Sequence, residues 1–285
     1  DHFNGLISLI EARHNAFEKK CKAYEQLFLI IPKSLFDFVD KVDKTMPDMN
    51  LLAKVRVVPN DLLMDQTQER YMSIVNTRAK KPKTQHYDPR MIETFSWHQR
   101  DTLIQILKSQ LNLSSFVTVL VDHIILSYGF CLTINAENSP KGFKFVYSGD
   151  CRPTEALVEK GADCDLLIHE CTFEDVLLKD AIFKKHSIRS EALDVAKRMN
   201  AKYSVFTHFS LRYQSIYHEP NDNKSNVTFS FDFMNVNRTN IDRLSKAVSL
   251  TKPLFIDSLI LNETRKTKLE TRDRLKWRIN NKGSP

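Results

Sequence analysis

Glycine is scarce, with 6 among 285 residues. Neither a Gly-x-Gly-x-x-Gly fingerprint nor a Gly-x-x-x-x-Gly-Lys loop occurs, which argues against dinucleotide and P-loop nucleotide chemistry. Long apolar runs are missing too. None approaches the roughly 20 residues of a membrane-spanning helix, and stretches such as LFLII have the length of buried strands. The 5 cysteines (21, 131, 151, 164 and 171) are odd in number and form no Cys-x-x-Cys pair. That argues against a secreted disulfide framework and for reduced thiols. No repeat of 20 to 50 residues is visible. The sequence shows no signal or transit pattern, and because it starts without Met the question of a targeting segment stays open.

Apolar material is ample: 42% of the chain is hydrophobic, with 18 Phe, and 27% is charged. This is the balance of a globular protein with a substantial core. The formal charge is +7 and the pI about 9.0. Such a field suits a polyanion, nucleic acid above all, or is simply a mildly basic surface. Charge alone leaves both open.

Periodicity predicts alternating helices and strands. Helices are expected over 4–20, 34–43, 99–111, 154–160, 173–183, 187–199 and 240–249. Strands are expected over 27–31, 55–58, 115–122, 128–134, 143–148, 165–169, 203–207 and 227–233. Clusters of Pro, Asn, Asp and Lys at 78–89, 135–142 and 218–226 read as loops. The stretch from 251 to 285 is rich in Lys and Arg and reads as a basic extension, either a solvated helix or a tail that meets RNA phosphates.

Five histidines stand at or beside predicted strand ends or short loops: His2, His123, His169, His186 and His208. Asp150 ends a strand behind a Ser-Gly pair. Imidazoles and carboxylates on loops at strand ends are the usual means by which an α/β scaffold presents a metal site. Singly, a His beside a strand is more often a core or surface group than a ligand, and His123 or His208 alone favours that role; Asp150 could cap the helix near Thr154, and Glu170 could pair with a Lys.

Order and context distinguish them. Asp1-His2-Phe3-Asn4-Gly5-Leu6 is similar to the second half of the metallo-β-lactamase signature His-x-His-x-Asp-His-x-x-Gly. SGDCRP, LLIHECTFED, KKHSIRSEA and THFSLRY follow in the order and at the distances seen in ribonuclease Z, the transfer-RNA 3′ processing endonuclease. The C-terminal half of the long eukaryotic form is the nearest pattern. The resemblance covers most of the chain and is strongest over 117–213.

The resemblance implies an α/β metallo-β-lactamase fold, an αββα sandwich incomplete at its N-terminus. It would occupy 1–250, with an insertion around 60–100 and the extension 251–285. It implies Zn2+, two ions per complete site. Asp1, His2 and His208 would hold one, His123 the other, with Asp150 bridging. Asp1 is also the expected proton acceptor. Glu170 and His186 would form a pair delivering a proton to the departing 3′ oxygen, and His169 would be structural. Arg152, Arg212 and Tyr213 are expected to support the site or meet RNA.

The implied reaction is endonucleolytic removal of 3′ trailers from precursor tRNA by a zinc-activated water. The implied locations are nucleus and mitochondrion, with no membrane partner. A homodimer, or a pseudo-dimer with an N-terminal half, is the expected assembly. Because the signature begins at its second half here, the resemblance also implies a truncated fragment with little activity alone and fewer than two tight zinc sites.

Cys151, Cys171, Ile188 and Leu211 depart from the family's Thr, Ala, Thr and Gln, and none is an expected ligand. Two other readings stay open: a hydrolase of the same superfamily acting on thioesters or β-lactams, and a non-catalytic RNA-binding or scaffold half.

Overall fold

The computed structural model describes residues 5–20, 27–64, 100–123, 127–136, 139–210, 226–237, 239–244 and 246. Two compact units divide the chain: Asp1–Gly149 with Thr154–Lys160, and Asp150–Pro153 with Gly161–Pro285.

The first unit starts with helix α1 (Leu6–Lys19), strand β1 (Leu27–Ile31), helix α2 (Lys33–Thr45), a short helix α3 (Leu51–Lys54) and strand β2 (Val55–Pro59). β1 and β2 pair in parallel, Leu27 opposite Val55 through Ile31 opposite Pro59. Side chains alternate across a strand, and here both faces are covered. Leu29, Ile31, Val55 and Val57 pack with Ile10, Phe36, Val39 and Leu51 from the three helices. Phe28, Ile30 and Val58 meet Leu62, Leu63, Leu107 and Phe116. Burial on both sides explains why LFLII is continuously apolar rather than alternating. Asp43, from α2, accepts the backbone N–H groups of Leu51 (2.6 Å) and Leu52 (3.3 Å), and so caps α3.

Helix α4 (Arg100–Leu111) leads into an antiparallel meander of β3 (Leu113–Leu120), β4 (Tyr128–Ala136) and β5 (Ser139–Tyr147). Phe130 contacts Phe116, Phe145 and Tyr147 at centroid separations of 5.9, 5.6 and 5.6 Å. The predicted loop 135–142 is mostly strand. Its Gly142 has φ +69, and a Cβ there would lie 2.5 Å from the Ile134 carbonyl oxygen. The glycine serves a close strand approach beside the register shift at Ile134/Ala136. Helix α5 (Glu155–Gly161) follows the meander.

Among the described residues the second unit is built on three parallel strands, β6 (Leu166–Glu170), β7 (Tyr203–Thr207) and β8 (Val227–Phe229). Helices α6 (Leu178–Lys184) and α7 (Arg189–Arg198) lie between β6 and β7 in the chain. Ala192, Val195 and Ala196 of α7 are buried, as are Leu167, Val205, Phe206 and Phe229 of the strands.

The predicted helix 173–183 divides into a 3-10 turn, Asp175–Leu177, and α6. Helix 187–199 starts only at Arg189, because Ile188 is extended and bridges to Phe173. Strand 227–233 ends at Phe229. Of the predicted helix 240–249, a 3-10 turn at Ile241–Arg243 is described, and most of the remainder lies outside the described residues. Most of 60–100 and all of 251–285 also lie outside them. No helix among the described residues is long and apolar enough to cross a membrane.

Leu167 is fully buried and Leu9 is 60% exposed. Leu167→Ala is expected to cost about 2–5 kcal/mol through lost burial and the cavity left behind. Leu9→Ala should stay within about 0.5 kcal/mol. Urea unfolding of the two variants checks this contrast.

Candidate active site

β6 and β7 end side by side, Glu170 opposite Thr207. The carboxyl ends of parallel strands are where α/β sheets usually bind ligands. Beyond the ladder, Cys171 N–H donates to the Thr207 carbonyl (2.8 Å) and Ser210 N–H to the Thr172 carbonyl (3.1 Å). These two bonds bracket His208, which is held at φ +63, a region that few residues with a Cβ occupy. Strain of this kind persists where surrounding bonds over-determine the backbone. Two further segments join the strand ends. Ser187 Oγ donates to the Cys151 carbonyl (2.7 Å), and Phe173 N–H donates to the Ser187 carbonyl (3.2 Å).

Glu170 sits at the centre, 2% exposed. Its Oε1 accepts from Cys151 N–H (2.5 Å) and from His186 Nδ1 (2.8 Å). Its Oε2 accepts from Thr172 Oγ1 (2.6 Å), Ser187 N–H (2.9 Å) and Thr172 N–H (3.4 Å). Burial opposes the carboxylate. The bonds from His186, Thr172 and Ser187 and the His186 charge outweigh it and hold Glu170 below the usual glutamate range. For His186, partial burial opposes the charged ring, but the bond and charge of Glu170 and the charge of Asp150 prevail, so the ring titrates above ordinary imidazole.

Asp150 Oδ2 lies 3.5 Å from His208 Nε2. Two ligands on one tetrahedral zinc, each at about 2.1 Å, stand roughly 3.4 Å apart, so this pair fits a common ion. The His208 ring stacks on His186 with centroids 5.3 Å apart. Glu170, His186 and His208 also place ligand atoms within 4.8 Å of one another. Glu170 is the weaker candidate ligand, since both its oxygens already serve donors and a metal would have to displace them.

Arg152 does not present an open guanidinium to this region. Its Nη1 donates to the His186 carbonyl and to Glu191 Oε2, both at 2.7 Å, and its Nη2 to Glu191 Oε1. Glu191 Oε2 also accepts from Ile188 N–H (3.0 Å), so one carboxylate serves both the start of α7 and Arg152. Ile188, where the family pattern has Thr, is buried against Phe173 and Ala181.

The other expected residues fall as follows. His123 stands in the first unit just past β3, its N–H donating to the Val121 carbonyl (3.1 Å). Asp1, His2, Arg212 and Tyr213 lie outside the described residues. His169 is fully buried and its Nδ1 donates to the Glu170 carbonyl (2.6 Å); burial lowers its pKa, against the pull of the Glu170 carbonyl and nearby carboxylates. Cys151 is buried too, and burial pushes the Cys171 thiol up to about 12, which leaves it a poor metal ligand.

The chain as a whole is similar to known proteins. The mouse "Zinc phosphodiesterase ELAC protein 2" is 30% identical over 272 residues, 95% of this chain and 29% of the relative. "tRNase Z TRZ3, mitochondrial" from Arabidopsis thaliana is 36% identical over 160 residues, 54% of this chain and 18% of the relative. The solved structure of a long form RNase Z from yeast superposes with a TM-score of 0.70 at 25% identity, covering 91% of this chain and 34% of that one. No family model matches.

The chain is a homologue of the ribonuclease Z proteins. Its described elements are mixed α/β, as the resemblance implied, and they superpose on those of the yeast long form RNase Z. The chain spans about 29% of the length of the ELAC protein 2 relative. Within the ribonuclease Z motif LLIHECTFED, sequence reasoning singled out Glu170 and passed over Thr172, whose hydroxyl reaches Glu170, His186 and His208. It also missed Glu191. The only available signal for Glu191 was a Glu three residues into a helix, a common capping position.

A pH dependence follows from the two shifts. The Glu170 contribution to stability is present above the unfolded glutamate pKa and is lost as pH falls through its lower folded value. The His186 contribution is complete below the unfolded imidazole value, about 6.5, and is lost as pH rises through its higher folded value. NMR titration of His186 in the metal-free protein should therefore give a pKa above that of a free imidazole. Glu170→Gln should bring it down; an unchanged midpoint in that variant contradicts the assignment.

Proposed function

We propose that the chain carries catalytic machinery of a zinc-dependent endoribonuclease that removes 3′ trailers from precursor tRNA. The observation supporting this most strongly is the Glu170–His186 pair set beside Asp150 and His208 at the ends of β6 and β7. It is joined by the homology to proteins named zinc phosphodiesterase and tRNase Z. Asp150 and His208 are the ligands described together. Asp1, His2 and His123 would complete a site for two ions, with Asp1 also receiving a proton. Bound zinc supplies charge that offsets the developing negative charge on phosphate oxygens and acidifies water.

The chain's own residues do the rest. His186, charged through Glu170, delivers a proton to the departing 3′ oxygen of the tRNA as the P–O bond breaks. The phosphate stays with the trailer, and the tRNA keeps a 3′-hydroxyl. Arg152 holds the His186 backbone through its carbonyl rather than binding phosphate, and Arg212 and Tyr213 are left as RNA contacts. Precursor tRNA is the proposed partner, met by the basic surface and the extension 251–285. The catalytic domain is read as 1–250, working as a homodimer or beside a second half in a longer protein, in nucleus or mitochondrion.

The test uses the protein in its full natural length, zinc-loaded, on a precursor tRNA with a labelled 3′ trailer. Trailer carrying a 5′-phosphate is expected. His186→Ala should slow this cleavage by about 10²–10⁴-fold, yet slow an aryl phosphodiester far less, because an aryl oxide leaves without a proton. Absence of cleavage, or a trailer with a 5′-hydroxyl, overturns the reading.

A further inference from the structure

Thr172 is 6% exposed and its hydroxyl lies among three side chains of the site. Oγ1 is 2.6 Å from Glu170 Oε2, 2.7 Å from His208 Nδ1 and 3.3 Å from His186 Nδ1. We propose that Thr172 is a positioning residue that fixes His208 with its proton on Nδ1 and its Nε2 lone pair directed at the metal-binding position beside Asp150.

The argument is a count of protons. An ionised carboxylate only accepts, and a threonine hydroxyl has one proton to give. At 2.6 Å from Glu170 Oε2 that proton must lie between the two oxygens, since otherwise two acceptors would face each other in a buried site. The hydroxyl can then only accept from His208. In the neutral ring the proton of His208 therefore sits on Nδ1, and Nε2, 3.5 Å from Asp150 Oδ2, keeps its lone pair. His186 does not compete for the hydroxyl, because its Nδ1 proton goes to Glu170 Oε1 at the shorter distance of 2.8 Å.

The ring position is fixed by the same segment. The two backbone bonds from 171–172 to 207–210 place Thr172 opposite His208 and hold the positive φ. Glu170 thus acts on His208 as well as on His186, through one intervening hydroxyl. Partners of this kind set the tautomer and orientation of a metal-binding imidazole. The inference rests on the reading of His208 as a zinc ligand, but the tautomer can be measured without metal.

Long-range ¹H–¹⁵N NMR of the metal-free protein reads the tautomer directly. The expected pattern for His208 is a protonated Nδ1 and an unprotonated Nε2; a proton on Nε2 in the unsubstituted protein overturns the proposal, with no variant needed. Thr172→Ser should keep the pattern and the zinc affinity. Thr172→Val removes the hydroxyl at constant shape and should mix the tautomers and weaken zinc binding roughly 10- to 100-fold. A Val variant that folds, keeps the Nδ1–H pattern and binds zinc as before also overturns it. Failure of the ligand reading looks different: His208→Ala would leave zinc affinity unchanged while the tautomer in the unsubstituted protein stayed as expected.

Discussion

A buried carboxylate that has not lost its charge is the constraint on which the second unit depends. Removing Glu170 from water is costly unless donors surround it, and five are provided: three backbone N–H groups, one hydroxyl and one imidazole. Those donors come from three stretches of chain: the turn at 151, the residues just after β6, and the approach to α7. Satisfying one charge therefore draws these stretches to one place. His186 and the turn at 151 that carries Asp150 are set by what that charge attracts.

The same carboxylate separates two tasks that resemble each other on paper. Asp150 and Glu170 are both acids at strand ends near histidines. Asp150 Oδ2 faces the Nε2 edge of His208 at a separation suited to a shared ion. Glu170 is occupied on both oxygens and reaches His208 through the Thr172 hydroxyl. In the proposed site the first acid would hold metal, while the second bonds His186 and raises its pKa. The Arg152–Glu191 pair extends this arrangement outward, tying the His186 carbonyl to the first turn of α7.

Much of this was legible in the residues. β1 and β7 occur over the predicted spans, because short runs of branched and aromatic residues bounded by polar ones have few alternatives. The misreadings have local causes. Pro140 and Gly142 look like loop punctuation, yet Gly142 serves a close approach of β5 to β4. The apolar residues of 173–183 suggested one amphipathic helix. Val176 and Phe183 are instead 86% and 85% exposed, and the segment splits into two turns of different pitch. In the site, the motif order marked Asp150, Glu170, His186 and His208. It did not mark Thr172, because a hydroxyl acquires its role from partners 14 and 36 residues away. Nor did it show that Arg152 is engaged by a carboxylate 39 residues on.

The central claim is that Glu170 shapes the cage without entering it. Anomalous diffraction at the zinc edge, from crystals of the zinc-loaded protein, tests this most directly. The account predicts an ion bonded to an Asp150 oxygen and to His208 Nε2 at about 2.0–2.2 Å, with Glu170 still holding its donors and outside bonding distance. A Glu170 oxygen bonded to the ion, or an ion far from both Asp150 and His208, would contradict it.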